Sequence, residues 1–156
     1  MNLADALKIA NKIRSELLPF CERCEIAGSV RRRKLSVNDI EIVYMPKQIE
    51  ALQYIDRHQK IRGRATGKYT RRLIDSMGVD FFSATPDNWG LIFAIRTGSA
   101  EYSHKILARG WVKAGFKSAN GFLTKVDTGA RVPVREETNL FEIIGIPYCI
   151  PKDREI

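Results

Sequence analysis

The chain has 156 residues, 26 Lys and Arg against 18 Asp and Glu, a formal net charge of +8 and 44% apolar residues. A chain of this length folds as one unit burying roughly 70% of its unfolded surface, and its apolar content excludes a disordered polymer. Three cysteines do not build a disulfide framework, no apolar run reaches the ~20 residues of a membrane span, and no secretory leader is read at the N-terminus. A reducing, cytoplasmic setting is therefore expected, and the surplus of positive charge points to a polyanionic partner.

In chain order, residues 3–18 carry Leu3, Leu7, Ala10, Ile13 and Leu17 on one face, the pattern of an amphipathic helix that Pro19 ends. Glu25-Ile26-Ala27 reads as a short strand, followed by a Gly28-Ser29 turn and the basic run Arg31-Arg32-Arg33-Lys34. Residues 39–44 alternate with period two, which puts Asp39 and Glu41 on one side and Ile40 and Ile42 on the other. A helix over 47–57 and a strand at Val79-Asp80-Phe81-Phe82 come next. Thr85-Pro86-Asp87 has the residues of a helix start, with a capping hydroxyl, an early proline and an early carboxylate. That helix ends near Thr97-Gly98-Ser99, and a second runs on to Gly115. Strands at 122–126 and 131–134, with turns at Asn120-Gly121 and Thr128-Gly129, lead to a closing segment with Pro147 and Pro151.

The positive charge is concentrated. From Arg57 to Arg72, with Lys60, Arg62, Arg64, Lys68 and Arg71 between them, there are seven basic residues and no acidic one, interrupted by Gly63 and Gly67. The glycines make this a turn or hairpin, suited either to tracking phosphates or to a solvated surface. Lys105, Arg109, Lys113 and Lys117 follow at four-residue spacing, a cationic stripe along the second helix. Cys21 and Cys24 have metal or redox spacing but lack two good further ligands, and read as ordinary thiols.

Asp39-Ile40-Glu41 carries the chemistry. Alone, such a tripeptide reads as an exposed strand edge, but two same-side carboxylates on an apolar strand repel each other unless a cation lies between them. Hard oxygen ligands suit Mg²⁺, and two such ions can hold the attacking and leaving oxygens of a phosphoryl displacement. Asp80, among Val79, Phe81 and Phe82, is the candidate third carboxylate. Gly28-Ser29, eleven positions before Asp39, offers backbone N–H groups and a hydroxyl to a phosphate, with Arg31 or Arg32 to neutralise it.

Taken in order, Ile26-Ala27-Gly28-Ser29-Val30-Arg31-Arg32, Asp39-Ile40-Glu41-Ile42-Val43, Val79-Asp80, Arg96-Thr97-Gly98-Ser99 and the ending Phe141 to Tyr148 with Pro151 and Arg154 resemble the family X DNA polymerases, within the nucleotidyltransferase superfamily. The resemblance spans about residues 20–156. It implies an α+β fold: a nucleotidyltransferase palm, a mixed sheet with flanking helices, over 1–95, and a small thumb-like C-terminal lobe over 96–156. It implies a DNA polymerase, adding dNMP from a dNTP to a DNA 3′-hydroxyl with two Mg²⁺ ions (or Mn²⁺), in repair-type gap filling. Asp39, Glu41 and Asp80 would bind metal and carry catalysis, and Gly28, Ser29, Arg32, Thr97, Gly98 and Ser99 would bind the nucleotide.

Expected partners are a DNA primer/template, gripped by Arg62, Arg64, Lys68, Lys105 and Arg109, and a dNTP. No membrane is expected, and the chain is read as a monomer. Departures from the pattern are Glu41 in place of the family's common Asp, Ile95-Arg96 in place of an aromatic pair, Ser103 in place of Asn and Leu107 in place of a template-side Arg. They keep two alternatives open: a template-independent nucleotidyltransferase acting on RNA or protein, and an inert DNA-binding module.

Overall fold

Ala6, Ala10, Ile13 and Leu17 recur on one stripe of a helix, and all four are fully buried in the computed structural model, which describes residues 1–156. This helix, α1 (Leu3–Leu17), opens on Asn2, whose side chain accepts from the Asp5 N–H, and stops just before Pro19. It packs on a five-stranded mixed sheet built from β1 (Cys21–Ala27), β2 (Ile40–Pro46), β3 (Gln59–Gly63), β4 (Tyr69–Ile74) and β5 (Met77–Ser83), in the order β1-β2-β5-β4-β3. Strands β2 and β5 run parallel and the other neighbours antiparallel. The parallel pair needs a long crossover. It is supplied by α3 (Ile49–Asp56) and the β3–β4 hairpin.

The period-two alternation decides what each sheet face does. Ile40, Ile42 and Tyr44 of β2 and Val79 and Phe81 of β5 face the helices and form one core with Ala51, Tyr54 and Ile55 of α3. Each fully buried branched side chain contributes about 1.5–3 kcal/mol of transfer free energy. Glu41 and Asp80 therefore project from the opposite face.

The chain divides into two units, Met1–Ala84 and Thr85–Ile156. A division at 95/96 would cut helix α4 (Trp89–Thr97), whose Leu91 and Ala94 belong to the core of the second unit. That unit continues with a helical run whose middle, Ser103–Ala108, is π-helical, flanked by α5 (Ala100–Tyr102) and α6 (Arg109–Lys113). A three-stranded antiparallel sheet of β6 (Phe116–Ala119), β7 (Phe122–Lys125) and β8 (Arg131–Val132) follows, then α7 (Glu137–Ile144), which ends on Gly145 in the left-handed conformation. No helix is long and apolar enough to cross a membrane.

Several sequence expectations are corrected. Gly28-Ser29 is not a free turn but begins a short helix, α2 (Gly28–Arg31). Thr85 does not cap α4: its N–H and hydroxyl both donate to Asn88 Oδ1, closing a turn that delays the helix to Trp89. Strand β1 begins at Cys21 rather than Glu25, and Lys117 lies on β6, off the cationic helix. Strand β6 and helix α7 are elements that residue spacing did not reveal.

Candidate active site

One row of residues crosses the whole first sheet. Ala27 pairs with Glu41, Glu41 with Asp80, Asp80 with Arg71, and Arg71 with Arg62, so β1, β2, β5, β4 and β3 each present one of these residues on the same face. Glu41 and Asp80 come together through the parallel β2–β5 register, and Asp39 sits one residue before β2. The three carboxylates expected from the sequence thus belong to one sheet face and one end of the parallel pair.

A cation already lies among them, and it is a side chain. Arg71 Nη1 is 2.8 Å from Asp80 Oδ2 and 3.5 Å from Asp39 Oδ2. Tyr69, two residues earlier on the same face of β4, donates its hydroxyl to Asp80 Oδ1 at 2.7 Å. Burial, and then this hydrogen bond, push the Tyr69 phenol above its ordinary range, so it remains a donor. Asp80, with only 9% of its side chain exposed, has both oxygens engaged, while Asp39 at 38% keeps access to solvent.

The donor set is the hard-oxygen type that divalent cations take, and Asp39 and Asp80 converge on a single positive atom. Glu41 turns toward α2, where an added Cβ on Gly28 would collide with its Oε2. No group of three His, Cys, Asp or Glu side chains is arranged to hold a metal ion. Gly28 has φ +61°, so glycine is required there both for backbone conformation and for the Glu41 carboxylate. Ser29 and Arg32 flank it, both half-buried.

The basic hairpin does not act as a block. Arg62, Arg64 and Lys68 are exposed. Arg71 is turned to the aspartates, and Arg72, on the opposite face of β4, is buried with hydrogen bonds to Thr70 Oγ1, His58 O and Asp56 Oδ1. The sequence places both arginines in one basic run, suited either to tracking phosphates or to a solvated surface, and neither fits that description. Strand alternation of adjacent residues is the signal that separates them.

In the second unit, Thr97 is fully buried, and Ser99 caps the next helix by accepting from the Tyr102 N–H. Gly98 is where a Cβ would press on Tyr102 Cδ1, 2.8 Å away. Leu107 is a core residue, and Ser103 donates to the Ile95 carbonyl. Lys105 and Arg109 are exposed and, with His104, Ile106, Lys113 and Ile144, line a groove of about 950 Å³. Cys21, Cys24 and Cys149 are free thiols.

No curated protein gives a significant match to the chain. Residues 93–155 match the family model of the DNA polymerase beta thumb, so this part of the chain is a family X polymerase-like thumb region, and it relates the function of the chain to DNA polymerases and to interaction with DNA.

Proposed function

We propose that the chain is a minimal family X-like nucleotidyltransferase that adds dNMP from a dNTP to a DNA 3′-hydroxyl. The reading rests above all on one juxtaposition: Asp39 and Asp80 share a single cationic atom on the sheet face that also carries Glu41, in a chain whose remainder matches a polymerase thumb. In this reading the first unit is the nucleotidyltransferase palm. Asp39 and Asp80, joined by Glu41 once its carboxylate swings away from Gly28, would hold Mg²⁺, which supplies charge neutralisation at the reacting phosphate. Asp80, the more buried aspartate, is assigned to the primer 3′-hydroxyl. Ser29 and Arg32, on and just after the short helix that Gly28 begins, are assigned to the outer phosphates. The 3′-hydroxyl passes its proton to Asp80, its oxygen bonds to the α-phosphorus, the bond from that phosphorus to the bridging oxygen breaks, and pyrophosphate leaves. Arg62, Arg64 and Lys68 in the first unit, and Lys105 and Arg109 in the second, offer exposed cations to the polynucleotide backbone.

Primer extension with and without template, offering each dNTP and NTP in turn, tests this. Incorporation is expected in the wild type and is expected to be lost in Asp39→Asn and in Asp80→Asn; unchanged activity in both would sink the assignment. Ile95-Arg96, where the family carries an aromatic pair, favours including NTPs with RNA and protein acceptors. DNA binding with no transfer to any acceptor would instead support an inert DNA-binding module.

A further inference from the structure

Arg71 stands where the proposed chemistry needs a metal ion. Its guanidinium is admitted by a glycine: Gly78 lies two residues before Asp80 on the same face of β5, and a Cβ there would collide with Arg71 Nη2. The Oδ2 atoms of Asp39 and Asp80, which Arg71 Nη1 serves, are atoms that a hard divalent cation would also use, so ion and guanidinium compete for them. Along the same row, Arg62 sits directly opposite Arg71. Like charges facing each other across two strands destabilise the pair unless an anion lies between them. The aspartates supply that anion for Arg71. Once a metal ion holds them, Arg62 and Arg71 together form a site for a phosphodiester oxygen, which charge-assisted guanidinium bonds suit.

We infer that Arg71 is an exchangeable counter-ion: a divalent cation displaces it from Asp39 and Asp80, and the released guanidinium joins Arg62 in holding a phosphodiester of the polynucleotide. Metal and polynucleotide then bind cooperatively, each raising the affinity of the other by the same factor. The inference rests on the reading that Asp39 and Asp80 are metal ligands.

The test is Mn²⁺ binding to the full chain without nucleic acid, followed by electron paramagnetic resonance, for wild type, Arg71→Met, Gly78→Ala and Arg62→Met, each checked for folding by circular dichroism. Arg71→Met removes the competitor and Gly78→Ala pushes it aside with its charge intact, so both are expected to bind Mn²⁺ about tenfold more tightly, the scale of one charge-assisted hydrogen bond. Arg62→Met removes a neighbouring charge without touching the aspartates and is expected to change affinity far less. In fluorescence anisotropy at constant ionic strength, Mn²⁺ is expected to strengthen binding of a single-stranded oligonucleotide to wild type and not to Arg71→Met.

Equal or weaker Mn²⁺ binding by both Arg71→Met and Gly78→Ala overturns the exchange, as does an Arg62→Met effect of the same size. Equal oligonucleotide coupling in wild type and Arg71→Met overturns the phosphodiester step. A wild type that binds no Mn²⁺ overturns the metal-site reading itself, and the inference with it. Gly78→Ala carries the test should Arg71→Met fail to fold.

Discussion

The Glu41 carboxylate lies against the bare Cα of Gly28, so closely that no side chain larger than hydrogen fits between α2 and β2 at that point. Gly28→Ala meets two penalties, a collision and a positive φ of 61°. We expect a loss of about 1–3 kcal/mol in stability, the range of a strained backbone residue. Chemical denaturation of Gly28→Ala, Glu41→Ala and the double variant checks it: the double variant should lose less than the sum of the singles. Strict additivity would show that the two residues do not meet.

Arg154 and Glu137 form a buried ion pair in the second unit. Arg154 is fully buried, donates through Nη1 to Glu137 Oε2 and through Nε to the Cys149 carbonyl at 2.8 Å, and lies 5.2 Å from the ring centres of both Phe141 and Tyr148. Arg154→Met strands the Glu137 carboxylate in a buried position, at an expected cost of about 3–5 kcal/mol. Urea unfolding should show that loss, and adding Glu137→Met should recover much of it. A single variant as stable as the wild type would refute the pairing as a structural element.

The exposed hairpin cations set a salt dependence. Replacing Arg62, Arg64 and Lys68 with Met is expected to flatten the slope of log affinity against log salt by about one unit for each phosphate that is no longer neutralised. Fluorescence anisotropy with a recessed duplex over a salt series measures it. An unchanged slope would place the backbone-binding cations away from the hairpin.

His58 gives the first unit an acid-side weakness. Its ring packs edge-on to Tyr54 at 5.1 Å, and burial, then the Arg57 charge, hold its pKa below the ordinary value of 6.5. A depressed folded-state pKa means the native protein favours the neutral ring. The stabilisation is complete above the unfolded pKa and is lost as pH falls through the folded value. Denaturation midpoints at pH 7.5 and 5.5 should therefore separate more in the wild type than in His58→Phe. Equal separations would count against His58 as the source.

What the sequence made legible was local. The buried stripe of α1, the alternation of β2 and the glycine-interrupted hairpin each follow from residue spacing within one element. Alternation also puts Asp39 and Glu41 on one side of β2, whereas bringing Asp80 beside Glu41 takes the β2–β5 register, which residue spacing does not give. Arg71 as the counter-ion of Asp39 and Asp80 was not legible, because it depends on the register of β4 against β5, some ten residues away in sequence. The split between Arg71 and Arg72 required knowing that the basic run is extended there. Helix α7 was hidden by a closing segment whose prolines and glycine signal turns, although its Leu140 and Phe141 are core residues. The π-helical stretch has no residue signature of its own.

That stretch changes what a four-residue spacing means. In an α-helix of 3.6 residues per turn, a step of four overshoots a full turn. Where the hydrogen bonds close five residues apart, as over Ser103–Ala108, the turn is wider and the same step falls short. Lys105 to Arg109 spans mainly the wide turn, and Arg109 to Lys113 spans ordinary α-helix. The two deviations have opposite sign, so Lys113 comes back to the side of Lys105 with Arg109 offset between them, where a uniform α-helix would carry the three cations steadily around its axis.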